Sequence, residues 1–331
     1  MKIFYKNSII FLVLITVFAS QNAGAAIDTK VADLSLASSP AYPSAGETFT
    51  VETKTYSTDA QRANYKWFLN GKAVASGLGI TSQTFTAGPL GSSMKIDVSL
   101  TATDGRVFSK SLTIYIADVD IVLNPLTYTP QLYRGSSLAS AAGTVEVYAV
   151  PHLFLSGARI APQNLIYEWS LNGEKLRDQS GPGRNTMIFS LFDSGGTSYS
   201  IKVKVSSLSG AISAQKTASI QTAEPKLLFY EMNPLTGRAG NANVSFGVRG
   251  GGNISILAEP YFFDLFSLNR AVMSWNANGE KFEQPAGKNP LLLEITAPEN
   301  AISLTNFSLN INDKKTIHQN TNGSFNIQAT Q

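Results

Sequence analysis

The chain has 331 residues, 43% of them hydrophobic, 10% aromatic and 15% charged, with two histidines and no cysteine. This composition excludes a disordered chain and a disulfide scaffold, and the length fits about two to three domains better than one sandwich. The formal charge of +3 includes Lys2 and Lys6; without them 24 basic groups face 23 acidic ones, and no Lys/Arg stripe points to nucleic acid.

The first 25 residues read as a Sec-type signal peptide. Lys2 and Lys6 form a positive start, Ile9 to Ala19 is an apolar run of 11, and Ala23-Gly24-Ala25-Ala26 offers small residues for cleavage after Ala25 or Ala26. The run is shorter than the ~20 residues a membrane-spanning helix needs. No cysteine follows it to carry a lipid. The expected mature chain is therefore secreted or held at the cell surface. It has no second apolar stretch of spanning length, and the polar stretch from Asp313 to Gln331 has no anchor signal.

Three tryptophans organise the rest of the chain. Each sits in the same phrase: Tyr65-Lys-Trp67-Phe-Leu-Asn70-Gly71, Tyr167-Glu-Trp169-Ser-Leu-Asn172-Gly173 and Met273-Ser-Trp275-Asn-Ala-Asn278-Gly279, with spacings of 102 and 106 residues. A period near 100 is that of one β-sandwich domain. The second and third copies also match without a gap at an offset of 109. Asn124-Pro-Leu-Thr127 lies over Asn233-Pro-Leu-Thr236, and Gly143–Phe154 over Gly252–Phe263. The expected domains are residues 26–118, 119–223 and 224–331, with short solvated linkers near Ala117–Asp120 and Thr222–Lys226.

Within each copy the pattern is that of strands. Phe49/Val51, Val145/Val147/Ala149 and Ile254/Ile256/Ala258 alternate with polar residues before the tryptophan. Ile96/Val98/Leu100, Ile201/Val203/Val205 and Phe307/Leu309/Ile311 do so after it. Period two means one buried face and one wet face. Asn-Gly after each tryptophan strand tolerates the positive φ angles of a tight hairpin. Turns close the later strands at Asp104-Gly105, Ser209-Gly210 and Asn312-Asp313, and a last strand completes each copy, as Leu112/Ile114/Ile116 do in the first. No apolar stripe of helical period persists between the prolines and glycines, so the class is all-β: three tandem Ig-like β-sandwich domains after the signal peptide.

The Tyr-x-Trp strand, Gly-containing hairpin and alternating return strand resemble bacterial Ig-like and PKD-like domains over most of the mature chain. PKD domains usually continue Trp-x-Phe-Gly-Asp-Gly, whereas this chain has Trp-x-x-Asn-Gly, so the resemblance is Ig-like in the broad sense. The Trp phrase and Phe229-Tyr230-Glu231-Met-Asn-Pro234-Leu235 also resemble secreted surface proteins of small-genome bacteria.

Two readings compete for the tryptophans. Trp67, Trp169 and Trp275 fit core rings between two sheets better than stacking platforms for sugars, because each stands at one fixed place in its strand. Catalysis has little material. His152 lies in an apolar segment and His318 in the polar end, and no Gly-x-Ser-x-Gly elbow occurs. Asp118 and Asp120 read as linker rather than as paired catalytic acids. Asp104, Asp118, Asp120 and Glu146 are too scattered for calcium, zinc has no ligand set, and Gly250-Gly251-Gly252 lacks the Lys-Ser/Thr of a phosphate loop. No catalytic, metal or cofactor residue is expected.

The informative segment is Pro151-His-Leu-Phe154-Leu in the second copy and Pro260-Tyr261-Phe262-Phe263-Asp-Leu-Phe266 in the third, where the first copy has Tyr56-Ser-Thr-Asp-Ala-Gln-Arg62. These rings either pack against a neighbouring repeat or form a partner surface of Phe154, Tyr261, Phe262, Phe263 and Phe266, and packing is the preferred reading. The expected function is a non-enzymatic exported structural or adhesive protein of the bacterial cell surface, accessory to a pilus or other appendage. Its partner would be another protein or a surface polymer. The alternative is a carbohydrate or cell-wall binding module.

Overall fold

Alternating β-branched and polar residues give each repeat a first pairing layer. The computed structural model describes residues 33–330 except 132, 192–195, 286, 300 and 301, so the expected signal peptide lies outside the described residues. In the first repeat Thr48–Lys54 lies between Ser35–Ser39 and Ser82–Thr86, all antiparallel. The facing sheet runs in the order Lys72–Leu78, Asn64–Leu69, Ser93–Thr101, Val107–Tyr115. Their inward residues, Phe49, Val51, Tyr65, Trp67, Ile96, Val98 and Leu100, make one core and are almost wholly buried.

The second repeat repeats this plan. Thr144–His152 lies between Asp118–Pro125 and Thr186–Ser190, and faces a sheet of Glu174–Lys175, Leu165–Leu171, Ser198–Ser207 and Ser213–Ala223. In the third repeat Asn253–Tyr261 lies between Lys226–Asn233 and Leu292–Thr296. The opposite sheet holds Glu280–Phe282, Val272–Ala277, Ser303–Asn312 and Asn320–Thr330. Each of these repeats has its own core, centred on Trp169 and Trp275. The chain is thus three tandem all-β, Ig-like sandwiches.

Repeats two and three add a strand that the first lacks among its described residues. After its first strand the chain crosses to the other sheet, where Ala139–Ser140 and Ser245–Arg249 pair in parallel with the last strand of their own repeat. The corresponding stretch of the first repeat, Pro40-Ala-Tyr-Pro43, carries two prolines with no N–H to donate.

One expectation needs correction. The solvated linker near Ala117–Asp120 is already strand: Asp118–Pro125 pairs along its length with Thr144–His152, and Ala117 and Val119 are buried. The last strand of the third repeat is Asn320–Thr330, whose Phe325, Ile327 and Ala329 enter the third core. The Phe-rich segment contains a single helical turn, Leu265–Leu268, where Asp264 caps the start by accepting from Ser267 N–H at 2.9 Å. Among the described residues no helix is long and apolar enough to cross a membrane.

Candidate functional site

The tryptophan strands are built alike in the three repeats. Trp67 and Trp169 are fully buried and Trp275 nearly so. Each indole N–H donates at 2.9 Å to a main-chain carbonyl thirteen to fifteen residues on: Ile80, Arg184 and Pro290. That satisfies the one polar atom a buried indole carries. Three residues on, Asn70, Asn172 and Asn278 have φ near 50°, and Gly71, Gly173 and Gly279 have φ of 80–88°, the pair of positive angles a two-residue hairpin needs.

Asn has a second use at this place. Its N–H donates to the carbonyl of Lys95, Ser200 or Asn306, and its Oδ1 accepts the N–H of that same residue at 2.9 Å. The side-chain amide thus stands in for a peptide carbonyl and ties each hairpin tip to the returning strand.

The apolar segments lie at the joins between repeats. Tyr261, Phe262 and Phe263 are buried, which removes them from a free partner surface in this structure. Phe263 enters the third core, while Tyr261 and Phe262 lie 5.9 Å apart and both take Tyr133 of the second repeat edge-on at 5.7 Å. The ungapped alignment sets Leu153 over Phe262, yet Leu153 is core in its repeat and Phe262 is not. Phe262 has a φ of 61°, which turns the chain so that the next residue takes the core place. Phe154 is half-buried and packs over Gly91 of the first repeat, where a Cβ would meet its ring at 3.2 Å. Phe266 is 58% exposed on the one-turn helix and belongs to neither core nor join.

Main chain and buried polar groups close the join between repeats two and three. Tyr128 donates to the Phe263 carbonyl at 2.7 Å and accepts from Phe262 N–H at 2.8 Å, and Leu265 N–H donates to the Leu126 carbonyl at 3.0 Å. Asp264, 2% exposed, accepts from Thr144 N–H at 3.0 Å. Gln319 is fully buried. Its Oε1 accepts from Asp264 N–H at 2.8 Å, and its Nε2 donates to Ser140 Oγ at 2.7 Å and the Ala141 carbonyl at 2.6 Å.

Beside this ladder, Tyr128 O–H donates to Glu259 Oε2 at 2.5 Å, and Arg238 Nε stands 3.8 Å from Glu259 Oε1. Arg238 also lies 4.1 Å over the Tyr230 ring and donates to the Gln131 carbonyl at 3.0 Å. Burial raises the Glu259 carboxyl above its usual range, against the pull of Tyr128 and Arg238. Burial also raises the Tyr128 phenol, and Glu259 adds to the shift. Sequence reasoning missed this cluster, because Tyr128 and Glu259 are 131 residues apart and no motif links them.

Outside the joins, His152 Nε2 lies 3.0 Å from Asp120 Oδ2 on neighbouring strands, an exposed pair at a sheet surface. Among the described residues no three His, Asp or Glu side chains group as metal ligands. The outer face of the first repeat carries a shallow groove lined by Phe68, Asp97, Ser99, Ser109 and Ser111. There Ser111 O–H donates to Asp97 at 2.5 Å and, with Lys95, holds that carboxyl below its usual range.

No protein-family description and no curated protein sequence matches the chain. Among solved structures it is similar to the Clostridium thermocellum CbhA fibronectin(III)-like modules, at 11% identity and a TM-score of 0.28 over 57% of this chain and 94% of that one. It is also similar to the three N-terminal domains of the bacteriophage RB49 outer capsid protein Hoc, at 13% identity and a TM-score of 0.26 over 90% and 97% of the two chains. A third similar structure is the Bacteroides ovatus glucan-locus protein SGBP-B in complex with a mixed-linkage heptasaccharide, at 12% identity and a TM-score of 0.21. That match covers 86% of this chain and 64% of the other.

Proposed function

We propose that the protein is a non-enzymatic, exported structural or adhesive component of the bacterial cell surface, built from sandwiches over residues 26–118, 119–223 and 224–331 and accessory to a pilus or other appendage. The observation that supports this reading is the join between repeats two and three. Its main-chain ladder, with Asp264 and Gln319 buried in it, fixes the angle between two sandwiches as a spacer or stalk requires. The apolar-loop residues Tyr261, Phe262 and Phe263 are used up in that fixing, so the partner would meet the outward sheet faces and the exposed Phe266.

The test is fractionation followed by capture. Tagged mature protein should recover envelope proteins from a surface extract, and the native protein should be found in the surface fraction. Retention in the cytoplasm, or turnover of a glycan or peptide substrate by the pure protein, would overturn the reading. The Phe68 groove favours a second reading as a carbohydrate or cell-wall binder, since an aromatic ring beside a carboxylate and three hydroxyls suits a sugar. Binding of a glycan that is lost in Phe68→Ala without loss of stability would favour it.

A further inference from the structure

The third repeat leaves open a strand edge that its two sister repeats fill. In a two-residue hairpin the residues flanking the turn exchange main-chain hydrogen bonds, and every second residue back along the strand points its N–H and C=O the same way. In the first repeat that row is Leu69, Trp67 and Tyr65, opposite Lys72, Ala75 and Gly77. In the second it is Leu171, Trp169 and Tyr167. Glu174 faces Leu171, Ser180 Oγ and Leu176 N–H meet Trp169, and Gly181 faces Tyr167. In the third, Ala277 faces Glu280 and Trp275 faces Phe282, and the pairing then stops. Met273, at the place of Tyr65 and Tyr167, has no partner on that side among the described residues.

The chain leaves the edge for a definable reason. Past Phe282 the next residues are Glu283-Gln284-Pro285, and the Gln284 side chain reaches across to the other sheet, where its Nε2 donates to the Leu292 carbonyl at 3.3 Å. Behind it opens a notch of about 270 Å³ walled by Met273, Trp275, Phe282, Gln284 and Pro290. Gln284 Oε1 is buried beside it with no donor. A buried amide oxygen left unpaired is costly, and its pairing favours an incoming N–H.

We propose that this notch binds an extended segment of another polypeptide by strand addition to the Met273 edge. The segment would set one apolar side chain between Trp275, Phe282 and Pro290, and the Gln284 amide would turn its Oε1 out to accept a main-chain N–H from it. An open edge with alternating N–H and C=O groups is matched by peptide main chain, as it is in the sister repeats by Gly77 and Gly181. Exposed Lys281 and Glu283 flank the notch, so the preferred segment carries an acidic residue toward Lys281 and a basic one toward Glu283. Strand addition at this edge does not depend on where the cell places the protein.

The probe is a random heptapeptide library displayed on phage and selected on the mature chain, with recovered sequences remeasured as synthetic peptides. The expected result is alternating apolar peptides with a Kd at or below about 100 µM that slow hydrogen exchange at the Met273 amide and fail when alternate peptide nitrogens are methylated. Gln284→Met should weaken them about tenfold. Because that change could disturb the loop, the exposed double exchange Lys281→Glu with Glu283→Lys serves as a second readout, and it should reverse the charge order of the selected peptides. Three results would overturn the proposal: no binding peptide, peptides that leave Met273 exchange unchanged, or a sugar that occupies the notch in their place.

Discussion

At the scale of single residues, the chain uses Trp and Asn-Gly for separate tasks at one place in each repeat. The indole fills the space between the sheets and hands its N–H to a carbonyl on the chain that returns beside it. Asn supplies both a positive φ and a substitute carbonyl, which no other common residue combines as well at that position. Trp169→Ala should therefore destabilise the second repeat by about 3–5 kcal/mol, the range for deleting a large buried aromatic. Urea unfolding followed by circular dichroism would measure it. A mutant that unfolds like the wild type but loses binding to a glycan or protein would make the ring a ligand platform instead.

At the scale of elements, the loops of the third repeat are held by charge. Arg270, just past the one-turn helix, makes a forked contact with Asp313 through Nε at 2.8 Å and Nη2 at 2.5 Å, which joins the Phe-rich segment to the turn before Gln319. Arg270 holds the Asp313 carboxyl well below its ordinary 3.8, and the N–H of Lys315 adds to this. A carboxyl depressed in the folded state contributes stability that is present above its unfolded value and lost as pH falls below it. Asp313→Asn should thus melt below the wild type at pH 7, and the gap should close as the pH is lowered from about 4 toward 2. A gap that stays constant over that range would show the loss to be steric.

The readable and unreadable elements divide on physical grounds. Inward alternation, the Trp phrase and Asn-Gly are local and repeated, so the strands beside each hairpin stand out in the chain. The crossing strands Ala139–Ser140 and Ser245–Arg249 do not. They are short or interrupted by Gly247, and their pairing is with residues about 80 positions on. Asn320–Thr330 has Thr321 and Gly323 at inward places where Val or Ile would announce a strand. Gly323 is required there because a Cβ would lie 2.8 Å from the Phe229 ring. The Tyr128–Glu259–Arg238 cluster exists only once two domains have been set against each other.

At the scale of the whole molecule, the two joins differ in kind. Between repeats one and two the structure shows side-chain packing, Phe154 over Gly91 and Lys204 5.7 Å from the Tyr42 ring. Between repeats two and three it shows a main-chain ladder, a buried Gln319 bound to both sides, and Glu259 held between Tyr128 and Arg238. Separating the second join would expose groups that are satisfied only across it, whereas separating the first would cost mainly apolar contact. Calorimetry on the mature chain should therefore resolve two transitions, one for the first repeat and one for the second and third together. Gln319→Leu strands the Asp264 N–H and the Ser140 and Ala141 acceptors, a loss of about 1–3 kcal/mol for each buried group left unpaired. It should split the joint transition while leaving the first repeat unchanged. Three separate transitions in the wild-type protein would show that the join does not couple the domains. A single transition for all three would mean that packing of Phe154 over Gly91 couples the repeats as firmly as the ladder does.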